Sequence, residues 1–380
     1  MNRKAVDQKS AFLQVPPLHS RREMLLAVLR PIGLAFFLYL FILSISLLGD
    51  AFKLFGSEFA QSLLESTSNP IVGLFIGILA TSIIQSSSTT TTIVVGMVAG
   101  GLLSIDGAIP IVMGANIGTT VTNTIVSLTH ISNTSEYTRA FSGAIVHDIF
   151  NVLTVALLLP LQILTNFLGR TALFIEQMLE NAGGLKFASP IKTITKPVIN
   201  VIIDVCNGNG WITAVVAIIL LFIALRYMVK ILKSLVLSRV EGFFNRYIFK
   251  TTFRALMLGL LVTAMVQSSS ITTSIVVPLV GAGVLSLRQI YPFTLGANVG
   301  TTVTAILAAL VTSQSAALAV ALAHLIFNIC GIVIFLPLAR IPIRLAEKMA
   351  ATIKKSRLLP IAFIVLLFFV IPLSLIYLLR

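Results

Sequence analysis

The sequence predicts an all-α polytopic membrane protein made of two inverted-topology repeats, and three observations carry that reading. First, 57% of the 380 residues are apolar and 11% charged, whereas a soluble domain carries about 45–50% and about 25%. Second, a mean hydropathy of +1.01 over the whole chain requires the apolar residues to recur in many segments, which one anchor on a soluble body could not supply. Third, a polar-studded stretch of 38 residues, 85–122, returns at 267–304 at a constant offset of 182.

In chain order, residues 1–30 are polar and basic, with Arg3, Lys4, Arg21, Arg22 and Arg30. The apolar run Pro31 to Leu48 follows without a small-residue cleavage pattern, so it reads as a retained helix. Further runs near the ~20 residues that a bilayer requires cover roughly 108–128, 139–165, 211–228, 289–312, 316–338 and 359–379. Two other long apolar stretches, about 70–103 and 255–287, are broken in the middle by Gln-Ser-Ser-Ser. A stretch of that kind suits a re-entrant hairpin, because non-helical backbone at membrane depth has to be buried in protein or line a polar cavity.

Charge then orients the chain. Of the +14 net charge, the basic residues gather at the N-terminus, between Arg226 and Arg254, and between Arg340 and Arg357, which the positive-inside bias places in the cytoplasm. The mixed, Asn- and Gly-containing connection 166–210 falls outside. The predicted organisation is a cytoplasmic segment 1–30, a first half 31–165, an extracytoplasmic connection 166–210, a second half 211–338, and a basic cytoplasmic loop with the last helix over 339–380. Three crossings then separate the hairpins, so they enter from opposite faces. Positive charge of this origin makes nucleic acid a poor partner. Cys206 and Cys330 have neither metal-site nor disulfide-framework spacing and read as structural.

The repeat retains the wrong residues for a merely apolar resemblance. Between 85–122 and 267–304, 22 of 38 positions are identical, and they include Gln, Ser, Asn, Gly and Thr, which are costly in hydrocarbon. The match continues, with a shorter connection, from His147-Asp-Ile-Phe-Asn151 to His324-Leu-Ile-Phe-Asn328. Interrupted segments at matching positions of two inverted repeats point to a secondary transporter with its site at the repeat interface.

The motifs supply ligand chemistry. Gln85, Ser86, Ser87 and Ser88, and Gln267, Ser268, Ser269 and Ser270, place amides, hydroxyls and free backbone N–H groups at a helix start, which is an anion receptor. Gly114-Ala-Asn116-Ile-Gly118-Thr119-Thr120 and Gly296-Ala-Asn298-Val-Gly300-Thr301-Thr302 allow a helix to unwind and offer neutral oxygens to a hard cation; the Gly spacing alone would serve close helix packing equally well. Asp148, beside His147, is the one carboxylate deep in an apolar run, and Leu325 replaces it in the second half. So few buried titratable groups favour sodium over proton coupling. Ser142, His147 and Asp148 could form a hydrolytic triad, but no Gly-x-Ser-x-Gly elbow accompanies them, and adjacent residues point about 100° apart on a helix. A non-enzyme is expected. A channel is the stronger rival, because polar hairpins also build pores.

These residues resemble the type II sodium-dependent phosphate cotransporter family, whose halves each carry a Gln-Ser-Ser-Ser hairpin and a Gly-(Ala/Ser)-Asn-(Ile/Val)-Gly-Thr segment. Arg139 to Asn151, Thr304 to Leu310 and Arg340 to Ala346 also look like family sequence, so the resemblance spans about 30–350. It implies sodium-driven uptake of inorganic phosphate, with the anion between the hairpins and no cofactor beyond the coupling ions. It implies cation binding at Thr301 and Thr304, an additional sodium ion at Asp148, and Asn151 and Asn328 near the sodium sites; together with Asn116 and Asn298, these residues are expected to serve sodium directly or through a shared shell, with Thr119, Thr120, Thr302 and His147 as secondary candidates. In the family, the position of Asp148 separates electrogenic members from electroneutral ones, which have Gly. The short connection between the halves, with Cys206 alone in it, and the end of the chain after a hydrophobic helix suggest a compact bacterial member in the inner membrane, N-terminus cytoplasmic. The alternative is an anion channel or a sodium-coupled carrier of another small oxyanion.

Overall fold

The computed structural model describes residues 21–181, 188–240, 249, 251–352 and 359–379. Most of the predicted N-terminal segment therefore lies outside the described residues. Seven helices among them are long and apolar enough to cross a membrane, as the hydropathy runs predict. The chain is a multi-pass, all-helical membrane protein.

In the first half, α1 (Arg21–Lys53) leads through α2 (Ser57–Ser66) into α3 (Pro70–Ile84), with a 99° bend between α2 and α3. The bend is a capped start: Asn69 accepts from Ile71 N at 3.0 Å and Pro70 takes the first helical position, where a missing N–H costs nothing. α4 (Ser87–Ala99), α5 (Ile105–Ile117), a 3-10 turn (Gly118–Thr120) and α6 (Val121–Ser127) precede α7 (Thr134–Thr165). In the second half, α10 (Gly210–Val240) lies along α1, and α11 (Thr252–Val266) and α12 (Ser269–Gly281) precede α13 (Leu287–Thr312) and α14 (Ser315–Phe335).

Three features go beyond or against expectation. The connection 166–210, for which no secondary structure was predicted, is largely helical, with α8 (Phe167–Asn181) and α9 (Ala188–Val205). In α8, Leu168, Ala172 and Glu176 recur every fourth residue on one buried face, so its mixed composition is that of an amphipathic helix. The basic stretch after α14 likewise forms α15 (Arg340–Thr352), with Ile343, Ala346 and Ala350 buried. Thirdly, interrupted helices were expected in both halves, but only the first is interrupted: α13 runs unbroken through Gly296 to Thr304. After Thr304 the chain reads Ala-Ile-Leu-Ala-Ala-Leu, whereas after Thr122 it reads Asn-Thr-Ile-Val-Ser-Leu-Thr. Ala and Leu carry a helix onward; Asn, Ser and Thr compete for its backbone groups.

The core sits where the repeats meet. In the span Ile105–Ser127, 82% of the most apolar window is buried inside the protein, against 11% for the last span, α16 (Leu359–Val365) to α17 (Ile371–Leu379). The former is central and the latter peripheral. α3 lies against α5, and α11 against α13, at backbone contact. A Cβ on Gly77 would sit 2.0 Å from Ile111 O, and one on Gly259 would sit 2.0 Å from Phe293 O, the same pair displaced by 182. Only glycine permits that approach. The later helices exchange partners: α8 packs on α14 and α15 packs on α7.

Candidate functional site

Each Gln-Ser-Ser-Ser motif makes a sharp turn between two short helices. Gln85 (φ 59°) and Gln267 (φ 56°) are left-handed residues that end α3 and α11. Ser86 and Ser268 are extended N-caps of α4 and α12, accepting from Thr89 N at 3.2 Å and Ile271 N at 3.4 Å. Ser87 and Ser269 are buried in the first turns, their carbonyls accepting from Thr91 and Thr273. Two helix N-termini, with their exposed donors and positive dipole ends, are thereby presented by the two repeats.

The turns also meet. Ser88 Oγ donates to Gln267 O at 3.1 Å, and Ser270 Oγ donates to Thr119 O at 3.3 Å. Asn123 Nδ2 donates to Thr273 Oγ1 at 2.8 Å across the same boundary. Ser86, Ser88 and Thr89 from one turn and Gln267 and Ser268 from the other line a single open pocket of about 390 Å³.

Beside the turns, six buried side chains tie the repeats together crosswise. Asn116 Oδ1 pairs with His324 Nε2 at 3.0 Å, and Asn116 Nδ2 donates to Asn328 Oδ1 at 3.0 Å. In the counterpart arrangement Asn298 Oδ1 pairs with His147 Nε2, and Asn298 Nδ2 donates to Asn151 Oδ1 at 2.7 Å. Asn151 Nδ2 further donates to Asn116 O at 2.8 Å. Because each Asn amide nitrogen is already donating, its oxygen accepts, and each His is the Nε2–H tautomer. Each half thus lends its Asn to the other half's His and Asn.

The remaining candidates divide by whether their oxygens are taken. Thr119, Thr301 and Thr302 donate back to Ala115 O, Ala297 O and Val299 O at 3.1, 3.0 and 2.7 Å. The side chain of Thr120 lies outside the described residues. By contrast Asp148 Oδ1 and Oδ2, Gln267 Oε1 and Thr304 Oγ1 are buried with no hydrogen-bond partner among the described residues. Buried polar atoms are seldom left so, and oxygens of this kind are what a hard cation takes. No Ser-His relay exists: Ser142 Oγ is bonded to Arg139 O at 2.7 Å and His147 Nε2 to Asn298.

The Na+/Pi-cotransporter family model matches residues 40–183 and 220–341. The chain belongs to that family. Relatives of this chain include sodium-dependent phosphate transport protein 2A of Rattus norvegicus, 34% identical over 416 residues, covering 88% of this chain and 65% of the relative. Protein 2A of Ovis aries is 35% identical over 418 residues, with the same two shares. Sodium-dependent phosphate transport protein 2B of Homo sapiens is 33% identical over 437 residues, covering 89% of this chain and 63% of the relative. The chain thus spans a little under two thirds of the length of these curated relatives. No solved structure gives a significant match.

Three participants escaped the sequence reading. His324 was matched to His147 but given no role, although its ring holds Asn116. Thr122 donates to Gln85 Oε1 at 2.9 Å, and its place at the repeat offset from Thr304 was the available signal. Arg226, a cation at the end of an apolar run, lines the pocket of the two turns; the run itself marked it as unusual.

Proposed function

We propose that this chain is a secondary active transporter that couples sodium entry to uptake of inorganic phosphate by alternating access between two inverted repeats. The observation that carries the reading is the convergence of both Gln-Ser-Ser-Ser turns on one pocket, with two helix N-termini and short hydroxyls offered to the same small anion. The names of its relatives supply the substrate and the driving ion. Gln85 to Ser88 and Gln267 to Ser270 hold phosphate. Asn116, Asp148, Asn151, Asn298, Thr301, Thr304 and Asn328 serve sodium directly or by holding its ligands. Of these, Asp148 and Thr304 carry the oxygens left without partners, while the Asn residues are engaged in the crosswise pairs.

The same reading divides the chain into halves at 31–165 and 211–338, with hairpins near 70–103 and 255–287. It makes the protein a carrier with no catalytic step, electrogenic through Asp148, and seated in the plasma membrane with its N-terminus in the cytoplasm. The test is radiolabelled phosphate uptake into proteoliposomes with and without an inward sodium gradient, the voltage first clamped and then varied. Sodium-dependent, voltage-sensitive uptake is expected. Uptake that ignores the gradient would overturn the coupled reading in favour of a channel, and sodium-driven uptake of a different oxyanion would overturn the substrate.

A further inference from the structure

The pocket shared by the two turns has a third wall that neither repeat motif provides. Arg226 and Lys230 line it from α10, together with Phe222, Leu225 and Val229. The two cations are four residues apart, one turn of helix, and so lie on the same face of α10. Among the described residues no Asp or Glu lines this pocket. Gln267, 9% exposed, also lines it, and its Oε1 has no partner among the described residues.

Basic residues at the end of a membrane-spanning helix ordinarily need no explanation beyond orientation. Such residues snorkel along apolar surface toward headgroups; these two are exposed and at the same time line the open pocket of the two turns, with Ser86, Ser88, Gln267 and Ser268. A receptor built only of neutral donors would leave most of a phosphate dianion's charge uncompensated. Arginine matches the fork of phosphate oxygens and lysine adds a point charge.

We infer that Arg226 and Lys230 form the cationic wall of the anion site, positioning residues that draw phosphate into the pocket and balance its charge while the two Gln-Ser-Ser-Ser turns fix its orientation. The inference rests on the transport reading above and adds to it a contribution from α10, outside both matched segments. Charge compensation then comes partly from fixed side chains and not from sodium alone.

Equilibrium binding of radiolabelled inorganic phosphate to the purified full chain, at fixed sodium, tests it without regard to sidedness. Arg226→Gln and Lys230→Gln should each weaken phosphate binding about fivefold or more, and Arg226→Lys, which keeps the charge but loses the fork, should weaken it less than Arg226→Gln. Half-saturation by sodium at saturating phosphate should stay put. Lys196→Gln, which removes a cation from a different pocket, should bind as the wild type does. Raising ionic strength with choline chloride should weaken wild-type binding and leave the double variant insensitive. Wild-type affinity in the double variant, or wild-type binding indifferent to ionic strength, would overturn the cationic wall while leaving sodium-dependent uptake standing. A wild-type protein that binds no phosphate would overturn both readings.

Discussion

The two repeats share most of their backbone course, apart from the break at Gly118–Thr120 in the first, but differ in what their side chains do. The glycine approaches, the left-handed glutamines and the serine caps recur at one offset, as does the crossed pairing of Asn with His and Asn. Yet Gln85 Oε1 accepts from Thr122 at 2.9 Å, while the equivalent atoms, Gln267 Oε1 and Thr304 Oγ1, both lack partners among the described residues. Asp148, likewise without a partner, stands opposite Leu325 in the other half. Duplication therefore accounts for the scaffold and for the paired turns, and on the proposed reading the sodium ligands Asp148 and Thr304 lie where the copies have diverged.

The shared part should break symmetrically and hardest. Gly77→Ala and Gly259→Ala each drive a methyl group into a backbone carbonyl of the facing helix, and backbone cannot step aside as a flexible side chain can. Each should cost about 3 kcal/mol or more, read as loss of monodisperse, thermally stable protein. One variant folding normally would show that the two approaches are not equivalent. Next come the crossed pairs. Asn116→Leu and Asn298→Leu each leave a buried His and a buried Asn without their partner, at about 2–4 kcal/mol apiece, since an orphaned buried group costs its full desolvation. Thermal denaturation in detergent measures both, and a marked inequality would mean that one half dominates the contact.

Asp148 sharpens the contrast by charge. Asp148→Gly removes a buried carboxylate that the second half does not have, so phosphate uptake should persist while the net charge moved per phosphate falls. One elementary charge crossing the field corresponds to about 2.3 kcal/mol per 100 mV, so the loss is measurable as voltage-insensitive uptake. Unchanged charge movement would remove Asp148 from the coupling pathway.

How much of this was legible in the sequence follows the same division. The seven spans are read from hydropathy because lipid demands long apolar helices, and the turns at Gln85 and Gln267 are read from polar residues placed where lipid would reject them. The helices α8 and α15 were missed because an amphipathic helix at a membrane protein's edge has the composition of a loop and only its periodicity betrays it. Within the candidate site, Asn116, Asn151, Asn298 and Asn328, singled out from the sequence, are brought together by the fold. That they bond one another across the repeats was not readable, because the pairing depends on which helices cross, and the repeat offset describes each half alone. The unbroken course of α13 turned on the Ala- and Leu-rich residues beyond its motif, which the matched segment did not include.

The smallest expected effect is the most discriminating. Thr122→Val deletes a hydrogen bond that exists and strands Gln85 Oε1, so it should lower stability by about 1 kcal/mol. Thr304→Val deletes a hydroxyl that has no partner among the described residues, and replacing an unsatisfied buried oxygen with a methyl group of the same shape should cost nothing or stabilise slightly. If Thr304 keeps its oxygen for sodium, the order reverses in transport: Thr304→Val should raise the sodium concentration for half-maximal uptake severalfold, and Thr122→Val should leave it near the wild-type value. Stability and sodium dependence thus move in opposite directions at two threonines related by the repeat. A protein in which both threonines acted alike, in either measurement, would have its cation site on the symmetry that the halves share and not on the differences between them.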